Sequence, residues 1–370
     1  MNRYSIKSQV LFALFILLSL HLNVKGQTVG EIFTEDIFTF TVLTTEAGGC
    51  TVELTDGKTA VGAIEISAMV EHEGNTYKIV SIGNEAFKGA KIKELNLTGA
   101  VNLQRIGASA FAECKQLVKV QYPAIAESSI TEIGPLAFHH CRKLESFNIE
   151  DTRIRVLESL FSENEKDEIS FSKLTSLKLP QSLRIIRKYA LQFLDITDID
   201  IPSGVVTFED RVLEGCIFLK NFTWKNAQVT SIPEKTFLGD DQLDSVSFLT
   251  MEPIEPDGLK DSYFKRYSSS DLEPVHVYVT PESYDNLLSG GYTKENSVFT
   301  SLEAMTDWLP AQRGDANGDG SVNAADIVEV VNYIMGNESD CFLFKTADMN
   351  SDGSVNAADI VLIVNTIMSN

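Results

Sequence analysis

Two stretches near the C-terminus of this 370-residue chain carry oxygen-bearing side chains at the same spacing. The ten residues DGSVNAADIV occur at Asp319–Val328 and again at Asp352–Val361. Each copy completes a loop with Asp or Asn at positions 1, 3, 5, 9 and 12 and Gly at position 6. Carboxylate and amide oxygens at these positions converge on a hard cation, and the glycine permits the sharp turn between them. The two copies therefore predict two structural calcium ions, held by the side chains of Asp315, Asn317, Asp319, Asn323 and Asp326 in the first loop and of Asp348, Asn350, Asp352, Asn356 and Asp359 in the second.

A helical pattern of apolar residues follows each loop. The spacing predicts one amphipathic helix per loop, with little helix before it. Position 12 is Asp in both copies, where an ordinary EF-hand carries Glu. The apolar positions are Ile327, Val330, Val331 and Ile334 after the first loop, and Ile360, Ile363, Val364 and Ile367 after the second.

Both departures from the EF-hand make residues 314–370 resemble a type I dockerin, the module that attaches secreted bacterial proteins to cohesin domains. The resemblance implies a cohesin-type partner. It also implies that the backbone carbonyls of Ser321 and Ser354 join the calcium ligands. Asn323 and Asn356 would act through water, and Asp326 and Asp359 as bidentate carboxylates.

In the dockerin family, loop positions 10 and 11 help to select the cohesin. These positions are Ala324 and Ala325 in the first copy and Ala357 and Ala358 in the second. Some cellulosomal relatives carry hydroxyl residues there, so the particular partner stays open. Because the two copies are identical, either helix is expected to present the same partner-binding face.

The middle of the chain repeats itself every 22–29 residues, which is the signature of a solenoid whose stacked coils share one core. Each repeat has an apolar anchor, an aliphatic residue three positions earlier and a large apolar residue about five positions later. The anchors are Ile82, Ile106, Ile133, Leu157, Ile186, Phe208 and Ile232, and the later apolar residues are Phe87, Phe111, Phe138, Phe161, Leu191, Leu213 and Phe237.

Alternating segments predict one short strand per coil, and the strands of successive coils are expected to stack in parallel. These segments are LVKVQY (117–122), LESFNI (144–149) and LTSLKLP (174–180). The mostly charged and polar stretch 162–172 predicts a surface loop. Aromatic residues available for ligand contact are Tyr122, Trp224, Tyr263 and Tyr267, for which core or edge packing is the default role in a solenoid.

The repeat sequences IVSIGNEAF, LQRIGASAF and ITEIGPLAF resemble BspA-type leucine-rich repeats of secreted and surface proteins. The fold implied is an α/β leucine-rich repeat solenoid of short parallel strands and irregular or short helical returns, with an N-terminal β cap and a small all-α calcium-binding domain. The expected divisions are a signal peptide at 1–26, a β cap at 27–78, repeats at 79–249, a second cap at 250–308, a linker at 309–313 and the calcium-binding domain at 314–370.

The start of the chain is typical of a secretory signal peptide. Arg3 and Lys7 precede an apolar run at Val10–Leu22, which is short for a membrane span, although an uncleaved anchor is the alternative. We expect an exported bacterial protein, secreted or associated with the cell surface and not an integral membrane protein. The net charge of −21 excludes nucleic acid as the expected partner.

The sequence contains no nucleophile elbow, zinc-protease motif or phosphate loop, which argues against an enzyme. The leading hypothesis is a non-catalytic binding protein whose solenoid recognises a protein or glycan while the tail docks to a cohesin-type partner. One alternative is a surface adhesin whose tail is only a structural cap. The other is a hydrolytic accessory subunit of a cellulosome-like complex. Five cysteines imply no disulfide framework, with a Cys114–Cys141 bridge between neighbouring coils in an oxidising compartment as the alternative.

Overall fold

A computed structural model describes residues 28–45, 49–162, 173–224, 231–233, 235–250, 254, 275–290, 299–304, 313–317, 321–337 and 342–369. The expected signal peptide and most of the 162–172 loop lie outside these residues, as do Tyr263 and Tyr267. None of the helices in the described part of the chain is long and apolar enough to cross a membrane.

Nineteen short strands and four helices are present in the described part of the chain. The strands are β1 (Ile32–Glu35), β2 (Phe38–Thr44), β3 (Cys50–Asp56), β4 (Val61–Glu65), β5 (Met69–His72), β6 (Asn75–Ile82), β7 (Lys91–Asn96), β8 (Arg105–Ile106), β9 (Lys119–Gln121), β10 (Glu132–Ile133), β11 (Ser146–Phe147), β12 (Val156–Leu157), β13 (Ile185–Ile186), β14 (Asp198–Ile201), β15 (Thr207–Phe208), β16 (Asn221–Trp224), β17 (Ser245–Phe248), β18 (Val275–Val279) and β19 (Phe299–Ala304). The helices are α1 (Pro281–Ser289), α2 (Ala324–Ile334), α3 (Phe344–Ala347) and α4 (Ala357–Ser369).

The strands form two parallel ladders, which confirms the predicted solenoid. The anchor ladder contains β6, β8 and β10, followed by β12, β13 and β15. The leucine ladder contains β4, β7, β9 and β11, followed by β14 and β16 to β19. At the N-terminal end, β1, β2 and β3 pair in antiparallel fashion, and β3 joins β6 in parallel, so the β cap continues directly into the anchor ladder.

The space between the ladders is filled by the residues that the repeat pattern selected. The Phe111 ring stacks between Phe87, at a centroid distance of 5.0 Å, and Phe138, at 5.4 Å. All three side chains are buried. Removing a side chain of this size from water contributes about 1.5–3 kcal/mol, so the stacked rings hold successive coils together.

Buried cysteines link neighbouring coils by hydrogen bonds rather than by disulfides. The thiols of Cys114, Cys141 and Cys216 each donate to a main-chain carbonyl of the preceding coil, at 3.1, 3.3 and 3.1 Å respectively. All are unbridged, so the alternative of a Cys114–Cys141 bridge is not what the structure contains.

One predicted strand is missing from the leucine ladder. Residues 174–180 alternate in sequence like the other strands, but no strand forms there, and the ladder is broken between β11 and β14. Leu174, Leu177 and Leu179 are nevertheless buried in the core. Hydrophobic alternation fixes which side chains point inward, whereas a strand also needs a run of main-chain hydrogen bonds to its neighbours. Among the described residues, this segment makes only one to a neighbouring coil, between Thr175 and Thr197.

The C-terminal helices pack around a separate core, in which Val330 and Ile363 are fully buried. The helix after each loop is therefore confirmed, although Ile334, which the pattern placed on the buried face, is 44% exposed. A hydrogen bond from the Arg184 guanidinium to the main-chain carbonyl of Asn317 joins this unit to the solenoid.

Candidate calcium centre and docking surface

The second loop, which the structure describes in full, wraps its backbone around two buried carboxylates. Asp348, at position 1, accepts hydrogen bonds from the amides of Asp352 at 3.2 Å and Gly353 at 2.9 Å. Asp359, at position 12, accepts from the amides of Met349 at 2.8 Å and Asn356 at 2.9 Å. The loop is thereby held closed around the two ends of the predicted ligand set.

The first loop repeats this arrangement in its described residues. Asp326, which is fully buried, accepts hydrogen bonds from the amides of Asn317 at 3.1 Å and Asn323 at 2.8 Å. Asp315 is buried as well. Asp319 lies outside the described residues. The sequence duplication is therefore also a structural one.

The asparagine at position 9 starts the helix that follows each loop. The Asn323 side chain accepts a hydrogen bond from the Ala325 amide at 2.8 Å, and the Asn356 side chain accepts one from the Ala358 amide at 2.9 Å. At the first helix, Asp326 bonds back to the Asn323 amide and completes a capping box. The side-chain oxygen expected to reach calcium through water thus also caps a helix.

The remaining predicted ligands of the second loop bond to one another. The Asn350 side-chain amide donates to the Asp352 carboxylate at 2.8 Å, and that carboxylate accepts from the Ser354 amide at 2.8 Å. The Ser354 carbonyl accepts from the Asn356 side chain at 3.4 Å, as the Ser321 carbonyl does from Asn323 at 3.5 Å. Among the described residues, no three His, Cys, Asp or Glu side chains form a metal-binding group by themselves. The asparagine and carbonyl oxygens of the loop would therefore have to complete the site.

The charge of the second loop fits a divalent cation. Within the described part of the chain, the donors to Asp348 and Asp359 are main-chain amides, and no ion pair reaches either carboxylate. Two carboxylates buried close together need a compensating charge, which calcium supplies when bound. The Arg313 guanidinium bonds instead to the Met349 carbonyl at 2.8 Å and the Ser351 hydroxyl at 2.6 Å, which fixes the loop backbone.

Hydrogen bonds brace the two loops against each other through α3. The Gly314 amide donates to the Thr346 carbonyl at 2.9 Å, and the Thr346 hydroxyl donates to the Asp315 carbonyl at 2.5 Å. The Leu343 amide donates to the Ala316 carbonyl at 2.8 Å. The start of the first loop is thus tied to the helix that leads into the second.

An apolar stripe on each long helix extends the two alanine pairs. All four alanines are exposed. Val328 on α2 and Met335 at its C-cap are 59% and 70% exposed, and Val361 and Met368 on α4 are 58% and 81% exposed. The repeat pattern had not singled out these four residues. The signal was in the sequence, because the duplication at an offset of 33 residues continues from Val328 to Val361 and from Met335 to Met368.

The outward face of the leucine ladder is polar. Its side chains are in register between coils, so that the Asn221 side chain donates to Asp198 at 2.5 Å and accepts from the Ser245 hydroxyl at 2.8 Å. Tyr122 and Trp224 are buried in the core, so they take the packing role and not the ligand-contact role.

Comparison with protein families accounts for both parts of the chain. Residues 80–173 and 167–266 match the BspA type leucine rich repeat region, in six copies, and residues 313–368 match the dockerin type I domain. The chain is a BspA-type leucine-rich repeat protein. Its C-terminal unit is a type I dockerin domain. Dockerins of this type bind calcium in general, and both kinds of domain are typical of extracellular bacterial proteins and are typically non-catalytic.

Solved structures similar to the chain include bacterial leucine-rich repeat proteins. A leucine rich cell surface protein from Faecalibacterium prausnitzii is 16% identical, with 68% of this chain and 85% of that one covered and a TM-score of 0.41. The leucine-rich repeat protein of T. pallidum is 16% identical over 60% and 85% of the two chains, with a TM-score of 0.38. One from Bacteroides capillosus is 22% identical over 40% and 96%, with a TM-score of 0.28. No curated protein matched the chain.

Proposed function

We propose that the protein is exported and non-catalytic, that its solenoid recognises a protein or glycan, and that its dockerin domain, with two calcium ions bound, docks to a cohesin-type partner. The observation that supports the proposal is the pairing of a buried loop carboxylate, hydrogen-bonded by main-chain amides, with an exposed apolar stripe, present twice in one small domain. The solenoid and the dockerin domain have separate cores, which suits separate tasks of recognition and attachment.

Calcium binding is tested on the chain from residue 27 onward by titration calorimetry. The intact protein is expected to bind two ions, and Asp326→Ala and Asp359→Ala are expected to bind one each. Binding to the folded form alone stabilises it by about 2.7 kcal/mol at a hundredfold excess over the dissociation constant. EDTA should therefore accelerate amide hydrogen exchange in α2 and α4 and leave the solenoid strands protected. Unchanged exchange in the helices would count against the proposal.

Docking is tested by capture of purified type I cohesin domains on the immobilised protein, in calcium and in EDTA. Because the two apolar stripes are equivalent, Val328→Asp or Val361→Asp alone should retain capture. The double variant should lose it. Val61→Asp is a matched control, since Val61 is a similarly exposed valine (64%) on the solenoid. Capture that persists in the double variant would place the docking surface elsewhere.

A second candidate function is supported by the hydrogen bond between Arg184 and Asn317. If the dockerin domain only caps the solenoid, Arg184→Ala should lower the unfolding temperature of both units together and no cohesin should be captured. If the domain is a tether, the variant should bind cohesin like the parent protein.

The proposal that the protein is not an enzyme is tested by a screen for polysaccharide hydrolysis. Reproducible turnover would overturn it.

A further inference from the structure

The break in the leucine ladder exposes main-chain hydrogen-bonding groups in the middle of the solenoid. A hydrogen bond from the Thr197 amide to the Thr175 carbonyl, at 3.2 Å, ties residues 174–180 to the next coil. Among the described residues, no main-chain hydrogen bond reaches Ser176, Leu177, Lys178 or Leu179. Elsewhere the leucine ladder pairs these groups coil by coil, as from β14 to β16 and from β16 to β17. Unpaired groups of this kind pair readily with an added extended chain.

A cleft lies at this break. It has a volume of about 450 Å³ and lies between residues 176–181 and 198–203. Its polar lining includes Glu150, Ser176, Lys178, Asp198, Asp200 and Thr223. Among its described lining residues none is aromatic, so these residues provide no flat apolar surface for a sugar ring.

The cleft carries net negative charge. The one basic residue among its described lining residues, Lys178, is paired with Glu150 at 3.4 Å. Asp198 and Asp200 are exposed, and neither takes part in an ion pair within the described chain. Hydrogen bonds from the Thr197 hydroxyl and the Asn221 side chain lower the pKa of Asp198, so this carboxylate stays ionised at neutral pH.

We propose that this cleft binds an extended, basic polypeptide segment of a protein partner, which pairs its main chain with the unpaired groups at residues 176–179 and places Lys or Arg beside Asp198 and Asp200. The inference rests on the proposed recognition role of the solenoid and assigns that role a ligand class. Main-chain pairing supplies the orientation of the segment, and charge complementarity selects the basic sequence.

The test is fluorescence anisotropy of the full chain from residue 27 in calcium, with a labelled peptide of eight alternating Lys and Thr residues as the probe. The peptide is expected to bind, whereas a peptide of alternating Glu and Thr is not. A version of the Lys–Thr peptide methylated on every backbone nitrogen keeps the charge but has no N–H left to donate from either edge of a strand. It should bind at least about fivefold more weakly.

The variant Asp200→Asn removes one charge from the cleft without changing the size of the side chain, and it should weaken binding about fivefold at low salt. Glu94→Gln is the matched control, since Glu94 is exposed on β7 in the intact part of the same ladder, and it should bind like the parent protein. Thermal melts of both variants confirm that they fold.

Equal affinity of the methylated peptide, or equal loss in both variants, would overturn the proposal, because binding would then be charge attraction without a site. Glycan binding that depends on Asp200, without peptide binding, would also overturn it. Cohesin capture reports on the dockerin domain independently, so a failure of the cleft and a failure of the docking proposal give different results.

Discussion

The two halves of the solenoid share the same backbone turn but differ in the residues that pack between successive coils. In the first half, Gly107 and Gly134 follow their anchors and lie against the backbone of the coil before, and phenylalanine rings stack face to face. In the second half the corresponding residues include Arg187 and Glu209, which pair at 2.8 Å, and leucines (Leu191 and Leu213) replace two of the stacked rings.

What stays constant between the halves is the backbone turn. The third residue after the anchor is left-handed in six repeats, with φ between 54° and 62°. These residues are Glu85, Ser109, Leu136, Tyr189, Arg211 and Lys235. Since side-chain types differ at this position while the dihedral does not, the coil is specified by the core residues around the turn and not by a turn residue. Two packings therefore support the same coil.

The largest expected effect tests the stacked rings. Phe111→Ala should cost about 3–5 kcal/mol of unfolding free energy, since it removes a fully buried ring. Phe237→Ala, at the equivalent position of the second half, should cost about 1 kcal/mol less, because Phe111 has stacked rings on both sides. Denaturant titration by circular dichroism provides the measurement. Equal losses would show that ring stacking does not distinguish the halves.

The next effect tests the glycine contacts. A Cβ added at Gly134 would lie 2.7 Å from the Ala108 amide nitrogen, so Gly134→Ala should destabilise the protein by about 1–3 kcal/mol as the coils separate. Arg187→Ala, at the same repeat position in the second half, removes only a solvent-screened pair and should leave the unfolding temperature unchanged. A tolerated Gly134→Ala would mean that the coil spacing in the first half is not set by the glycines.

The pH dependence of stability should come from Asp240, which occupies the repeat position of Cys114, Cys141 and Cys216. Its carboxyl accepts a hydrogen bond from the Cys216 amide at 2.9 Å, and its second oxygen is buried and has no partner among the described residues. Burial raises the pKa of Asp240 well above its ordinary value, with Asp241 and Glu214 adding to the effect against the opposing hydrogen bond from Cys216. The protonated acid is thus the form that fits the core.

The sign follows from that raised pKa. The stability that the protonated Asp240 contributes is fully present below the pKa of the unfolded chain and is lost as the pH rises through the folded pKa. Asp240→Asn keeps the acceptor for Cys216 without the ionisation, so it should flatten the fall in unfolding temperature between acidic and neutral pH. An unchanged slope would assign the pH dependence to other groups.

The smallest effect concerns the reactivity of the buried thiols, a feature that both halves share, and it leaves stability unchanged. Burial raises the pKa of Cys114 to about 12 and that of Cys141 and Cys216 well above the ordinary value. These thiols should resist iodoacetamide at pH 8 in the folded protein and react after denaturation, whereas half-buried Cys50 serves as the accessible control. Peptide mapping by mass spectrometry provides the measurement, and rapid labelling of Cys216 alone would mark the second half as the looser one.

The sequence predicted the features that depend on periodic burial of side chains. It missed those that depend on hydrogen-bond pairing between strands. Apolar spacing identified the anchors and the Phe87–Phe111–Phe138 stack, because one inward position per coil is enough to define them. It could not predict that residues 174–180 lack strand partners, since hydrogen-bond pairing depends on the neighbouring coils. It also placed Ile334 in the core, but the helix ends there and its side chain turns to solvent.

At the predicted calcium loops the ligand spacing could be recognised in the sequence, because all the ligand oxygens of one loop come from one short segment. The assignment of those ligands stays a prediction, with Asp319 outside the described residues. The exposed valines and methionines of α2 and α4 were missed because helical periodicity reports the buried face and is silent about apolar residues opposite it.

The hydrogen bonds at the entrance of the dockerin domain have a mechanical consequence. A load transmitted from the solenoid enters the domain at Arg313 and meets three hydrogen bonds at once. The Gly314 amide donates to Thr346, and the carbonyls of Asp315 and Ala316 accept from Thr346 and Leu343. Bonds loaded together share the force, whereas bonds loaded in series break one at a time. A protein held by its docked tail in flowing fluid would therefore resist being peeled open at its first calcium loop.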